Sequence, residues 1–419
     1  MSKFVITGNK KLKGEVEAQG SKNAATPILA ASILLSGKTV LENIPNILDV
    51  ERMKIILKKI GADATSDAEK HTLALNVAGV KSWNLNFPEA VKIRSSLLFL
   101  GPLLARFGKV KIPYPGGCRI GARSLDTHLD GLRALGAAVK YLDNHYFLTA
   151  DKLRGAEIIL DEFSVTATEN VMMAACFARG RTIVKLAACE PHVQDLARFL
   201  NQAGAKIAGS GTHTLVIDGV KKLSGVRYKI IPDMIEAGTL IIAGLATGGS
   251  VKVKNMNPAD LDIFLKKLKE MGAVLAIGKN YVQTFPSPQL LGIKIQTLPY
   301  PGFPTDLQAP FSVLMTQARG ESAIHDPMYE GRLKYLEELA KMGASVKILN
   351  SHQAKITGPD KLAGKEITSL DLRAGATLIL AGLIASGKSI IHRAEEIDRG
   401  YERIEEKLQT LGAEIRRVE

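Results

Sequence analysis

The sequence predicts an α/β protein assembled from repeated units, and two interleaved phrases carry that reading. In the first, a helical pattern ends at Gly-Ala and a β-type run follows. It reads KKIGADA, RALGAAV, NQAGAKI, KEMGAVL, AKMGASV and QTLGAEI, around Gly61, Gly136, Gly204, Gly272, Gly343 and Gly412, at intervals of 75, 68, 68, 71 and 69 residues. The second phrase reads LLSGKTVL, ARFGKVKI, FARGRTIV, LATGGSVK, QARGESAI and IASGKSII. It falls around Gly37, Gly108, Gly180, Gly248, Gly320 and Gly387, at intervals of 71, 72, 68, 72 and 67. Glycine suits such helix ends because it enters the left-handed region without a Cβ penalty. Six units of about 70 residues, each with two helices and several strands, account for essentially the whole chain. Each is a small α/β subdomain that must bury an apolar face against its siblings.

Length and composition bound the rest. At 419 residues the chain is too long for one small core, so two domains are expected. Its hydrophobic share of 46% is that of an ordinary globular protein. Three cysteines make no disulfide framework, which fits a reducing compartment. The start MSKFVITGNKKLKGEV has no signal-peptide core, and no run of about 18 uncharged apolar residues occurs. A cytoplasmic location and no membrane partner are the expectation. The formal charge of +13 comes from lysines scattered singly rather than in runs, and aromatics are 5% of the chain. Lysines spread in this way fit an ordinary solvated surface, a cation excess also fits anionic substrates, and the few aromatics argue against a stacking platform for single-stranded nucleic acid.

Function is expected where one copy departs from the common pattern. The stretch QGSKNAATPILAAS, residues 19 to 32, starts a helix with Lys22 and Asn23 in its first turn. A cation at that end is unfavourable for the helix and asks for an anion. In VKIRSSLLF, Arg94 interrupts what reads as an apolar helix. The segment IPYPGGCRIGARSLDTHLDGL forms a long loop between a strand and a helix, with Cys118 between glycines and close to Arg119 and Arg123. Nearby cations lower a thiol's pKa, so Cys118 is a candidate acid or nucleophile. Cys176 and Cys189 read as core or strand-end residues.

Further along, LPYPGFPTDLQAPF surrounds Asp306 with four prolines and a glycine. A rigid, irregular segment of this kind suits a carboxylate held in place, for instance as a general base. Arg332, Arg373 and Arg399 complete a C-terminal set of guanidiniums, the usual partners of phosphate and carboxylate. GLIASGKS, residues 382 to 389, matches the phosphate-loop pattern letter for letter. A true phosphate loop leads from a strand into a helix, whereas this one leads from a helix into a strand, so nucleotide triphosphate binding is not expected there. The eight histidines are scattered without ligand spacing, and no dinucleotide fingerprint occurs, so neither metal nor cofactor is expected.

Together GSKNAA, IRSSLLFLGPLLARFG, PGGCRIGARSLDTHL, ATENVMMAA, FPTDLQA, DLRAGA and IDRGYERI closely resemble the UDP-N-acetylglucosamine 1-carboxyvinyltransferase family of enolpyruvyl transferases, from about residue 4 to 418. The resemblance implies a two-domain inside-out α/β barrel, each domain holding three βα units around buried parallel helices. One domain would be 1–20 with 231–419, and the other 21–230. It implies transfer of the enolpyruvyl group of phosphoenolpyruvate to the 3′-hydroxyl of UDP-N-acetylglucosamine, with release of phosphate. This is the committed step of peptidoglycan synthesis and runs by addition and elimination through a tetrahedral ketal. By similarity Cys118 is the proton donor and can add covalently to phosphoenolpyruvate, an epoxide such as fosfomycin should alkylate it, and Asp306 is the base on the sugar hydroxyl. Lys22, Arg123 and Arg399 match ligands of phosphoenolpyruvate, with Arg373 nearby. Asn23 and Arg94 match sugar-nucleotide and active-site positions. Ser124, Leu125, Asp126 and Thr127 match the uracil segment, and Glu162, Phe163, Ser164 and Val165 the diphosphate segment. Met328 matches a backbone contact to the nucleotide. The expected protein is a monomer acting on two small molecules.

The chain departs from the family pattern in three places. SVTAT has Thr166 where SVGAT is usual, which is expected to crowd the diphosphate segment, IPDMIEAGT has Met234 where arginine is common, and YEGRL carries Glu330, Gly331, Arg332 and Leu333 where E-N-R-F is usual. The nearest rival reading is an enzyme of the same fold acting on shikimate 3-phosphate. Its G-N-[AS]-G-T-x-x-R stretch is replaced here by IRSSLLFLGP.

Overall fold

The structure is a computed structural model that describes residues 2–114 and 124–419. Both repeated phrases become the same joint. All twelve of their glycines have positive φ, from +61° to +110°. Each lies within about five residues after a helical turn, in a conformation that L side chains resist, and a strand begins at once or within a few residues. The phosphate-loop look-alike is one of these joints. The helix Leu372–Ile384 precedes Gly387, and the strand Lys388–His392 follows it.

The described residues fall into two compact units, 2–19 with 232–419 and 20–114 with 124–231. In the first unit three helices, Met234–Ala246, Thr305–Gln317 and Leu372–Ile384, pack on one another. Nearly every residue of each is buried. Helices apolar all round belong inside a core. The helix Thr305–Gln317 comes so close to Met234–Ala246 that a Cβ on Gly238 would lie 2.6 Å from Leu307 Cδ1. Three four-stranded sheets belong to the same unit. Two of them join a parallel strand to an antiparallel run that ends in a hairpin, and in the third an N-terminal strand stands between two antiparallel neighbours. Two strands from the start of the chain complete them. Lys3–Thr7 lies between Lys388–His392 and Glu414–Val418, and Lys13–Glu17 runs parallel to Ser250–Lys254.

The second unit repeats the plan. Its inner helices are Lys22–Ala31, Leu100–Phe107 and Val165–Ala175, joined by the 3₁₀ turn Arg94–Phe99. Its sheets are two of four strands, one of three and one of two. Each unit thus has its own apolar core, with helices inside and sheets outside: an inside-out α/β barrel of βα repeats. Among the described residues no helix is long and apolar enough to cross a membrane.

One local expectation is corrected. Arg94 does not interrupt a helix. Ile93 is extended (φ −134°, ψ 136°), so the short helix Pro88–Lys92 ends before Arg94, which heads a new 3₁₀ turn. The apolar run hides that break because Ile93, the extended residue, is as deeply buried as the Leu97–Leu100 stretch that follows.

Candidate active site

The candidate residues divide between the two units. In the first unit Asp306 stands in the first turn of Thr305–Gln317, half-buried. Its Oδ1 accepts from Arg332, and its Oδ2 accepts from Arg373 Nε at 3.1 Å. Arg373 Nη2 is 2.9 Å from the same oxygen. Arg373 is placed by Asp371, whose Oδ1 caps the helix by accepting from Arg373 N (2.7 Å) and Ala374 N (3.0 Å). Burial works against the charge of both guanidiniums. Asp306 together with the other acidic groups around each, Asp371 and Asp326 for Arg332 and Tyr401 and Asp233 for Arg373, outweighs it, and both are held above their ordinary values. Arg332 Nε and Arg373 Nη1 still make no hydrogen bond among the described residues. Buried donors left over on cations are what an anionic ligand would satisfy.

Arg399 lies in the turn after the short helix Ala394–Ile397, nearly buried, with Nη1 donating to Glu396 Oε2 at 3.2 Å. Met328 is fixed by Asp326, a fully buried carboxylate that accepts from Met328 N at 3.0 Å and from Thr305 Oγ1 at 2.7 Å. That bond uses the Met328 N–H, so the backbone group it can offer a ligand is its carbonyl. Met234 is the first residue of its helix, behind an Asp233 cap, and Leu333 is buried in the core. Neither departure from the family pattern disturbs Asp306.

In the second unit Lys22 and Asn23 open the helix Lys22–Ala31, as the sequence predicts, with Ser21 Oγ capping Ala24 N. The Lys22 charge faces Asp49, 3.7 Å away and buried, and Asp49 is also 3.7 Å from Arg52. Arg94 Nη2 donates to Ser124 O at 3.4 Å. Ser124 Oγ accepts from Asp126 N at 3.0 Å, Leu125 and Thr127 are buried, and Asp126 starts the helix Asp126–Ala134. Arg94 and the 124–127 segment are therefore brought together. Cys118 and Arg123 lie outside the described residues. Cys176 and Cys189 are buried, and burial pushes their thiols up to about 12 and about 11, as structural cysteines should be.

Glu162, Phe163, Ser164 and Val165 lead into the helix Val165–Ala175, and the Ser164 side chain does not cap it. Its first N–H groups, which have no intrahelical acceptor, are thus not satisfied by that side chain either. Glu162 is exposed, and its carboxylate would repel an anion, so this segment has its backbone to offer. Thr166 does not crowd the segment. Its Oγ1 turns inward to His128 Nε2 at 3.0 Å. The tautomer follows from a chain of partners. Gly101 N donates to Asn170 Oδ1 at 2.7 Å, so Asn170 Nδ2 faces His128 Nδ1 at 3.1 Å as a donor. The ring proton then sits on Nε2 and points at Thr166. Burial, then Arg94, lowers the His128 pKa to about 3.

Sequence reasoning placed Arg332 among the guanidiniums but did not pair it with Asp306. It missed Asp49, Asp326, His128 and Asn170 altogether. None is marked out locally, because each has its decisive partner far away in the chain: Lys22 for Asp49, Thr305 for Asp326, Thr166 for His128 and Gly101 for Asn170.

A family model described as EPSP synthase (3-phosphoshikimate 1-carboxyvinyltransferase) matches residues 6–408. A UDP-N-acetylglucosamine 1-carboxyvinyltransferase of Coxiella burnetii is 46% identical over 420 residues, covering 100% of this chain and 96% of that protein. One of Desulforapulum autotrophicum is 43% identical over 418 residues, covering 100% of both. Among solved structures, the enolpyruvyl transferase NikO from Streptomyces tendae superposes with a TM-score of 0.89 at 24% identity, covering 100% of this chain and 99% of that one. At that identity the likeness is one of fold.

Proposed function

This chain belongs to the EPSP synthase (3-phosphoshikimate 1-carboxyvinyltransferase) family of enolpyruvyl transferases, and from that premise we infer which acceptor it serves. It transfers the enolpyruvyl group of phosphoenolpyruvate to the 3′-hydroxyl of UDP-N-acetylglucosamine and releases phosphate, the committed step of peptidoglycan synthesis. Full-length relatives at 43–46% identity carry this acceptor in their names. The family model's own name points to shikimate 3-phosphate. Against that acceptor stands the Arg94–Phe99 turn, which replaces the glycine-rich stretch of shikimate-type enzymes.

The observation that carries the mechanism is the cation cluster on Asp306. Phosphoenolpyruvate brings a phosphate and a carboxylate into one small site. By the resemblance to the family, Lys22, Arg123 and Arg399 are its ligands, with Arg373 nearby. As long as Arg332 and Arg373 both hold Asp306, its oxygens are occupied. To take a proton from the sugar hydroxyl, one of those pairs has to loosen. An arriving anion competes for Arg373 and so frees the base when substrate is present. Cys118 delivers the proton to the methylene carbon, giving the tetrahedral ketal. Loss of a proton from the new methyl group as phosphate leaves then forms the enol ether. On the nucleotide, Ser124, Leu125, Asp126 and Thr127 take the uracil. The uncapped helix start after Glu162–Val165 takes the diphosphate through backbone N–H groups. Asn23, Arg94 and the Met328 carbonyl complete its contacts. A cytoplasmic location goes with this reading and fits three cysteines without a disulfide framework.

The test is phosphate release from phosphoenolpyruvate, with UDP-N-acetylglucosamine and shikimate 3-phosphate in parallel. Release with the sugar nucleotide alone is expected, and Cys118→Ala should abolish it without lowering thermal stability. Release with shikimate 3-phosphate, or with neither acceptor, would overturn the reading.

A further inference from the structure

Gln19 follows the strand Lys13–Glu17, and it is 7% exposed. None of its polar groups is idle. Its N–H donates to Glu236 Oε2 at 2.6 Å, and its carbonyl accepts from Asp233 N at 2.8 Å. The side-chain Nε2 donates to Gly400 O at 2.9 Å, and Oε1 accepts from Glu402 N at 2.8 Å. The amide therefore grips the residues on either side of Tyr401, one step beyond Arg399.

The turn's own backbone bonds do not do this. Gly400 N and Tyr401 N both donate to Ile397 O at 3.0 Å, which leaves the Gly400 carbonyl and the Glu402 N–H to be satisfied from outside. Other anchors hold side chains rather than that backbone. Asp398 accepts from Arg417 at 2.6 and 2.8 Å, and Tyr401 shares a hydrogen bond with Thr239 Oγ1 at 3.0 Å. Behind Gln19, Glu236 is fully buried and takes Lys407 Nζ at 2.8 and 2.9 Å, which fixes the main chain from which the amide projects.

We propose that Gln19 is a positioning residue, which sets the backbone of the 400–402 turn and through it the direction in which Arg399 presents its guanidinium. This rests on the reading of Arg399 as a ligand of phosphoenolpyruvate. The amide suits the task because it offers one donor and one acceptor at a fixed separation, matching a carbonyl and an N–H two residues apart. A carboxylate or an apolar side chain of the same length satisfies at most one of them.

Two variants of the full chain test it. Gln19→Met keeps length and burial and loses both side-chain bonds. Gln19→Glu keeps the acceptor for Glu402 N and loses the donor to Gly400. The first readout is the rate at which phenylglyoxal modifies each arginine without substrates, followed peptide by peptide in a mass spectrometer. Arg399 should react about 10-fold faster in Gln19→Met, with Arg332 and Arg373 as unchanged internal standards and Gln19→Glu in between. The second readout is kinetic. KM for phosphoenolpyruvate should rise about 10-fold, while KM for UDP-N-acetylglucosamine stays within about 2-fold. Unchanged Arg399 reactivity would overturn the proposal, as would a parallel rise at all three arginines, the mark of general loosening. Selective exposure of Arg399 in a protein whose wild type turns over neither acceptor would support the positioning role and sink the acceptor reading instead.

Discussion

His128 carries a proton on one nitrogen because of an asparagine that never touches solvent. Gly101 orients Asn170, Asn170 orients the ring, and the ring orients Thr166. With the folded-state pKa lowered to about 3, the unfolded chain takes up the proton first. This group's contribution is therefore fully present above the ordinary histidine value of about 6.5 and is lost as pH falls toward the folded value. By pH 5 the loss should be about 2 kcal/mol. Urea titrations at pH 7 and pH 5 measure it. In His128→Gln the difference between the two pH values should shrink by about that amount, and an equal difference in both proteins would mean that His128 titrates normally. At this scale the sequence was legible in residue type and illegible in partnership. A lysine in a helix's first turn and an aspartate among prolines announce themselves, because each opposes its local surroundings. Arg332 and Gln19 do not. Arg332 meets its partner 26 residues away and Gln19 meets the 400–402 turn 381 or more residues away, at distances set by the fold and not by any local pattern.

Among elements, the repeated joint between helix and strand was the most legible feature. Left-handed glycines at a fixed phase leave a phrase that survives even where the other residues change. The joints differ in how tightly they are enclosed. A Cβ at Gly412 would meet nothing within 4 Å, whereas one at Gly61 would fall 2.3 Å from the carbonyl oxygen of Gly79. Gly412→Ala should cost only the left-handed strain, about 1–2 kcal/mol. Gly61→Ala should cost clearly more, because the backbone of Gly79 has to move as well. Denaturant midpoints of the two variants decide this, and equal losses would mean that the Gly61 turn relaxes freely. The Arg94 region was misread for the opposite reason. Hydrophobic runs report burial, not backbone shape, so an extended residue inside one leaves no trace.

In the whole molecule the two units differ in how the chain builds them. Residues 20–231 are continuous and contain one complete apolar core. The other core needs residues from 4 to 18 as well as from 235 to 415. A fragment of residues 20–231 should therefore melt cooperatively alone, with helical circular dichroism. Residues 232–419 should not, since two of their sheets would lack a strand. A cooperative melt of 232–419 would contradict that assignment. The two-fold division and its crossings had no sign in composition or periodicity, because all six units are alike to the eye. The strand Lys3–Thr7, held between Lys388–His392 and Glu414–Val418, has a consequence in the cell. It leaves the ribosome well ahead of both neighbours, which lie about 380 residues or more further along the chain. At about 5–20 residues per second, roughly 20–80 seconds pass before it can be enclosed. Over that interval the 20–231 unit is able to fold while the apolar Phe4 and Ile6 wait without a sheet, a natural place for a chaperone to hold the nascent chain.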